Sequence, residues 1–210
     1  MCISMSKFTA KKRLTNVSIP SKAPNGYEWA KSFNSETTLD DDTKYLIVGT
    51  LTPPDGRGDC ISNVFPGYFY CSEKNDMYMF LDKAFPNRTI KLVELKERFR
   101  NSNWDQRIKE DIKKELKARH IAFLDVVNEA YVKRNSSKDG DIDIYVLDKK
   151  AFANLPTSIK IVPNSTNAKV ALEYILNTTG IKMIPQSIRG NWDFVDKKHL
   201  IDDWKAFFSK

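Results

Sequence analysis

The amino-acid sequence predicts an α/β protein, a three-layer αβα sandwich built on a central, mainly parallel four-stranded sheet. Three observations predict it. Four short apolar runs, Tyr45–Val48, Ile121–Val127, Ile159–Val162 and Lys182–Ile184, are separated by stretches of helical periodicity, the order that gives parallel strands joined by helical crossovers. The first two runs are almost continuously apolar rather than alternating, as strands covered on both faces are. A chain of 210 residues with 41% hydrophobic content, including 12 Phe, 8 Tyr and 4 Trp, can bury one substantial core.

Residues 1–42 read as an N-terminal arm. They are polar and turn-rich, with Lys11-Lys12-Arg13, Pro20, Pro24, Asn25-Gly26 and Asp40-Asp41-Asp42, and Tyr27, Trp29 and Phe33 are available to pack back on the rest. A single domain is expected over 43–210. Its first strand is stopped by Gly49, Thr50 and two prolines, and a long loop, Thr50 to Tyr70, follows. Met77, Phe80, Leu81 and Ala84 then fall at helical spacing within Asn75–Ala84, which Pro86 ends. Further helices are expected over Lys91–Arg100 and Trp104–Arg119, the latter striped by Ile108, Ile112 and Leu116. The second strand carries one charge, Asp125, which burial would make costly unless it finds hydrogen-bond partners. The third strand passes through Pro163-Asn164-Ser165 into a helix over Ala168–Leu176. The fourth leads by a loop to a last helix, Val195–Phe208, with Leu200, Ile201, Trp204 and Phe208 facing inward.

Parallel sheets of this kind bind ligands at the carboxyl ends of their strands, so the segments to inspect are Thr50–Asn75, Asp125–Ile142, Asn164-Ser165 and Pro185–Trp192. No GxGxxG or GxxxxGK[ST] follows any strand, which removes the main support for a dinucleotide or P-loop site. Cys2, Cys60 and Cys71 form no CxxC pair, and His120 and His199 stand far apart, so no metal and no cofactor are expected. Nothing approaches the length of an apolar membrane span, and the first residues lack the apolar core of a signal peptide. The expected setting is the cytoplasm, with no membrane partner and a monomeric chain. Lys and Arg total 34 against 27 Asp and Glu, a formal charge of +7 that favours polyanionic partners through counterion release.

Several segments at the strand ends resemble the uracil-DNA glycosylase superfamily, in particular its hypoxanthine-type and mismatch-type branch. Gly49-Thr50-Leu51-Thr52-Pro53 is similar to the family's Gly-Ser/Thr-x-Pro. Phe69-Tyr70-Cys71-Ser72-Glu73-Lys74-Asn75 is similar to its Tyr-Tyr-Ala-His-Pro-x-Asn, with Cys-Ser-Glu in place of Ala-His-Pro. Ile121 to Val126 resembles Val-Ala-Leu-Trp-Asp-Val, and Ser136-Ser137-Lys138-Asp139-Gly140-Asp141-Ile142 resembles Gly-Ser-x-Asp-x-x-Ile. Val162-Pro163-Asn164-Ser165 is similar to the strand leading into Asn-Gly, and Pro185 to Asn191 to Pro-Ser-x-Ser-Pro-Ala-Asn. These motifs occur in the family's order across Tyr45 to Phe208.

The resemblance implies a monofunctional glycosylase that hydrolyses the N-glycosidic bond of a deaminated or mismatched base, such as uracil or hypoxanthine, in single- or double-stranded DNA. The alternative is a catalytically silent relative that binds a nucleobase or DNA. Base excision extrudes the nucleotide, builds an oxocarbenium-like sugar and directs water at it. Asn75 is implied to position that water, although Asn is also a good helix cap. Asp55 is a second candidate for water activation, and the Pro53-Pro54-Asp55-Gly56 context is also a turn. Phe69 and Tyr70 are implied to stack on the base, or else belong to the core. Asn164 is implied to read the base edge with an amide that both donates and accepts, or else caps the next helix. Gly49, Thr50, Asp125 and Asp139 are implied to organise the site. Gln186, Ser187, Ile188 and Arg189 are implied to meet DNA, and this loop lacks the His that several branches place there.

Overall fold

The computed structural model describes residues 22–32, 34, 37, 39–51, 71, 76–102, 105–133, 142–153, 155–182 and 197–209. The described strands are β1 (Tyr27–Lys31), β2 (Tyr45–Gly49), β3 (Ile121–Asp125), β4 (Val127–Lys133), β5 (Ile142–Leu147) and β6 (Lys160–Pro163). The described helices are α1 (Met77–Ala84), α2 (Leu92–Asn101), α3 (Gln106–Lys117), α4 (Thr166–Leu176) and α5 (Lys197–Phe208). No helix among the described residues is long and apolar enough to cross a membrane.

The parallel sheet has the order β3-β2-β6, with Tyr45 beside Ile121 and Lys160. Its two faces are separated by the strand period of two. Tyr45, Ile47, Ile121 and Phe123 join a core formed with α1, α2, α3 and α5. Leu46, Val48, Ala122 and Leu124 join a second core under α4 and an antiparallel sheet. Burial on both faces explains why β2 reads as an unbroken apolar run.

The second sheet, β1-β4-β5, departs from the expected architecture. The run expected as one strand, Ile121–Val127, breaks at Val126. There the N–H groups of Val126 and Val127 donate to the carbonyls of Gly49 and Thr50, and the chain enters β4. The arm expected over 1–42 supplies β1, which pairs with β4 from Tyr27↔Lys133 to Lys31↔Glu129. Trp29 does not pack back as expected. It is 51% exposed, while Phe33 lies outside the described residues. The layer opposite the helical face is thus part helix and part sheet rather than the α layer of an αβα sandwich.

The expected fourth parallel strand, Lys182–Ile184, is not among the described strands. Lys182 is irregular and exposed, and residues 183–184 lie outside the described residues. Just before it, the Ile181 N–H is taken by Glu173 Oε1 of α4 at 3.1 Å rather than by a neighbouring strand. The parallel ladder described has three strands, not four.

Two sets of contacts hold the helical layer. Trp204 of α5 stacks on Phe80 of α1 with centroids 5.1 Å apart, and Phe208 packs edge-on to Tyr45 at 4.8 Å. A buried ionic network does the rest. The Arg119 guanidinium, its side chain 0% exposed, donates to Asp82 Oδ1 at 2.9 Å, Glu115 Oε2 at 2.6 Å and the Ile90 carbonyl at 3.0 Å. Asp82 also accepts the N–H groups of Leu92 and Val93 at 2.9 and 3.0 Å, so a carboxylate from α1 caps α2. Arg88 closes the network on Glu115 at 3.2 Å.

Removing one member of a buried ion pair strands its partner, a loss of about 3–5 kcal/mol. Arg119→Ala is expected to cost that much in urea denaturation. Lys113→Ala, which removes the Glu110 pair from the surface of α3, is expected to cost under about 1 kcal/mol.

A pH-dependent pair tethers the segment before β2. Asp40 accepts hydrogen bonds from Lys117 and Thr43, which hold its carboxyl below the ordinary aspartate value. A carboxyl lowered by folding stabilises the fold above its unfolded pKa, about 3.9, and stops doing so as pH falls through the still lower folded value. Asp40→Asn should therefore reduce the melting temperature at neutral pH, with the difference disappearing in strong acid.

Candidate functional site

At the carboxyl edge of the parallel sheet three strand ends lie side by side. Gly49 is in register with Asp125, and Val48 with Pro163. The Asn164 N–H donates to the Val48 carbonyl at 2.9 Å, which continues the β6 ladder by one residue. Gly49, Thr50, Asp125 and Asn164, four of the positions expected from the sequence, are thus brought to one edge. Phe69, Tyr70, Asn75, Asp55, Asp139, Gln186, Ser187, Ile188 and Arg189 lie outside the described residues.

Thr50 and Ser165 bridge two of these strand ends. Their hydroxyls lie 3.0 Å apart, both residues are buried, and Ser165 Oγ accepts the Ala168 N–H at 3.0 Å. Ser165 is therefore the N-cap of α4, a role worth about 1 kcal/mol. The capping alternative considered for Asn164 falls to its neighbour, and half-buried Asn164 stands at the edge just before the helix. The start of α1 differs, because its N-cap residue makes no side-chain capping bond. Its N-cap position is Asp76, one residue beyond Asn75. The amino end of α4 directs its partial positive charge toward the same edge, which suits an anionic group.

Asp125 is 1% exposed, and its backbone is held by a residue 91 positions earlier. Asn34 Oδ1 accepts the Asp125 N–H at 2.8 Å, while Asn34 Nδ2 donates to the Asp125 carbonyl at 2.8 Å and to Asp148 Oδ2 at 2.8 Å. One amide thus acts as a one-residue strand on the outer side of β3. Exchanging its oxygen and nitrogen would set donor against donor, so the pattern fixes its orientation. Thr37 continues the cover by donating to the Phe123 carbonyl at 2.8 Å. Asp148 ties in the second sheet: its N–H donates to the Val126 carbonyl at 2.8 Å, and Oδ1 accepts the Ala151 N–H at 3.0 Å.

Sequence reasoning missed Asn34, Thr37 and Asp148. Ser165 carried a signal in being a cap-forming residue directly before a helical pattern. Asn34 carried none, because its partner lies far along the chain. Among the described residues no group of three or more His, Cys, Asp or Glu side chains could hold a metal ion.

The arrangement offers hydroxyls, an amide and a helix amino end at one sheet edge. A solution NMR structure described as a "putative uracil DNA glycosylase" from Methanosarcina acetivorans superposes on 86% of this chain and 97% of its own, with a TM-score of 0.53 and 20% identity. The two chains share a fold. No protein-family model and no curated protein sequence matches the chain.

Asn34→Ala should leave the Asp125 N–H and carbonyl without their partners and reduce stability by roughly 1–3 kcal/mol. Asn34→Asp is nearly isosteric but sets a second carboxylate against Asp148. Its deficit at neutral pH should equal or exceed that of alanine and shrink in acid as one carboxyl takes up a proton. Urea melts at two pH values check both outcomes.

Proposed function

We propose that the chain is a DNA glycosylase of the uracil-DNA glycosylase superfamily, hydrolysing the N-glycosidic bond of a deaminated or mismatched base. The observation that carries this reading is the convergence of Gly49-Thr50, Asp125 and Asn164 at one carboxyl edge. Each belongs to a segment that resembles a motif of that family, and the fold they occupy is shared with the Methanosarcina acetivorans protein.

In this reading the base enters against the strand ends, stacks on Phe69 or Tyr70, and presents its edge to the Asn164 amide. Asn75 holds the attacking water, with Asp55 as the second candidate. Asp125 and Asp139 order the surrounding loops, and Gln186 to Arg189 meet the phosphates and wedge the helix. The charge of +7 supports a polyanionic partner. Ser165 as the cap of α4 supports a site role for Asn164, which does not occupy that cap position. Cys71 stands where the family carries Ala, and it is 3% exposed in the helical core, a place for a small buried side chain. The departure that bears on chemistry is Ser72-Glu73 in place of His-Pro.

The test is single-turnover base release from oligonucleotides carrying uracil, hypoxanthine, xanthine or mismatched thymine, in single and double strands. Release from at least one substrate is expected. Asn75→Ala should lower its rate roughly 100-fold or more with DNA affinity nearly unchanged, because a group that places water acts on the transition state. Full release by Asn75→Ala would move the chemistry to Asp55. Salt-dependent DNA binding without release from any substrate would instead identify a silent base-binding relative.

A further inference from the structure

The main chain at residues 125–127, where β3 turns into β4, is gripped from two sides, and the inner grip is the candidate site itself. On the outer side the Asn34 amide takes both backbone groups of Asp125, each at 2.8 Å. The Asp148 N–H takes the Val126 carbonyl at 2.8 Å. On the inner side the Val126 N–H donates to the Gly49 carbonyl and the Val127 N–H to the Thr50 carbonyl, both at 3.0 Å. Thr50 then meets Ser165 through their hydroxyls at 3.0 Å, and Ser165 caps α4 directly after Asn164. An unbroken run of hydrogen bonds thus leads from Asn34 to Gly49, Thr50 and the start of α4. Asn34 itself has little freedom to move. Its Nδ2 also donates to Asp148 Oδ2 at 2.8 Å, a bond strengthened by the carboxylate charge, and Asp148 Oδ1 is held by the Ala151 N–H at 3.0 Å. Rotating the amide would break three bonds at once, so the side chain works as a rigid spacer between the second sheet and β3.

Support for an edge strand alone would serve equally well anywhere along β3. Thr37 supplies one bond to its outer side, at the Phe123 carbonyl, whereas Asn34 takes both groups of Asp125, the residue in register with Gly49. The firmer hold lies at the carboxyl edge. We propose that Asn34 is a positioning residue for the candidate site, acting through the main chain at residues 125–127 on Gly49 and Thr50, with Asp148 as its anchor. A site that acts on bound substrate depends on such a hold, because a misplacement of about 1 Å can cost about 100-fold in rate. Asn34 does no chemistry of its own in this role. The catalytic consequence rests on the glycosylase reading, and the hold on Gly49 and Thr50 does not.

Two readouts on the full chain test it. Scalar couplings across hydrogen bonds, measured by NMR, report the bonds from Val126 to Gly49 and from Val127 to Thr50 directly. In Asn34→Ala both should shrink or vanish, while those from Lys160 to Lys44 and from Tyr45 to His120 at the amino edge stay unchanged. A contribution to stability alone would lower the melting temperature and leave all four couplings in place. Single-turnover base release from a substrate the wild type processes should fall roughly 10- to 100-fold with DNA affinity within about 2-fold, since a displaced edge harms the transition state more than the bound DNA. Ile112→Val, which loosens the helical core away from the edge, should lower the melting temperature and change neither readout. Asn34→Asp combined with Asp148→Asn exchanges donor and acceptor between the two side chains and keeps an acceptor for the Asp125 N–H. The pair should recover couplings and rate relative to Asn34→Asp alone, and it carries the test if the alanine variant fails to fold. Unchanged couplings at Gly49 and Thr50 in folded Asn34→Ala would overturn the proposal, as would a full release rate at reduced melting temperature. A wild type that releases no base counts against the glycosylase reading instead, and the couplings alone then decide the role of Asn34.

Discussion

The helical half of the molecule depends on one buried cation. Arg119 sits two residues before β3, with its guanidinium shared among Asp82 of α1, Glu115 of α3 and the Ile90 carbonyl just before α2. A charge removed from water is costly, and here the cost is offset by two carboxylates and the carbonyls of Ile90 and Glu115, arranged around the planar fork that arginine matches and lysine does not. One N–H, at Nε, has no acceptor, so the network is good but incomplete. Since Asp82 simultaneously caps α2, the same side chains set the relation of α1 to α2 and of both to α3. The direction of β3 follows, and with it the position of Asp125 six residues on.

A second constraint acts at the other end of β3. As the edge of the parallel sheet, β3 presents backbone groups that need partners once they are buried. Another strand could have supplied them, but the chain uses the side chains of Asn34 and Thr37 instead. The arrangement lets β3 leave the parallel sheet at Val126 and start a second sheet within one residue. A neighbouring strand running the full length of β3 would have occupied that exit. The antiparallel layer and the candidate site edge are therefore consequences of the same turn, held by Asn34 on one side and by the Asp148 backbone on the other.

What was legible in the sequence was whatever burial imprints locally. The β2 and β3 runs and the five described helices, to within a few residues, could all be read from periodicity. The antiparallel sheet could not, because β1 and β4 are mixed in character. Glu28, Asn128 and Glu129 interrupt the apolar alternation, and the 27–31 stretch reads as part of a polar arm. The run expected as a strand at 182–184 lies mostly outside the described residues; Lys182 is irregular, and the Ile181 backbone before it is bonded to a glutamate side chain. At the site, the gathering of Gly49, Thr50, Asp125 and Asn164 followed from strand order alone. The clamp by Asn34 did not, since a contact across 91 residues leaves no local pattern.

The two ends of the parallel sheet are held in different ways among the described residues. At the amino edge the His120 carbonyl accepts from both Lys44 and Tyr45, the Lys44 carbonyl accepts from Lys160, and the Tyr45 hydroxyl donates to the Phe208 carbonyl at 3.1 Å. Lys160 lies 3.8 Å from the Phe207 ring centroid and donates to the Phe207 carbonyl at 3.3 Å, placing a cation at the negative end of α5. His120 takes a left-handed φ of 59°, strain tolerated because its carbonyl and ring nitrogen are both engaged in that closure. These polar groups are committed to joining α5, α3 and the sheet. At the carboxyl edge, among the described residues, bonds run between neighbouring strand ends and into the cap of α4, and these organise the edge. Chemistry placed there meets a scaffold already made rigid from behind.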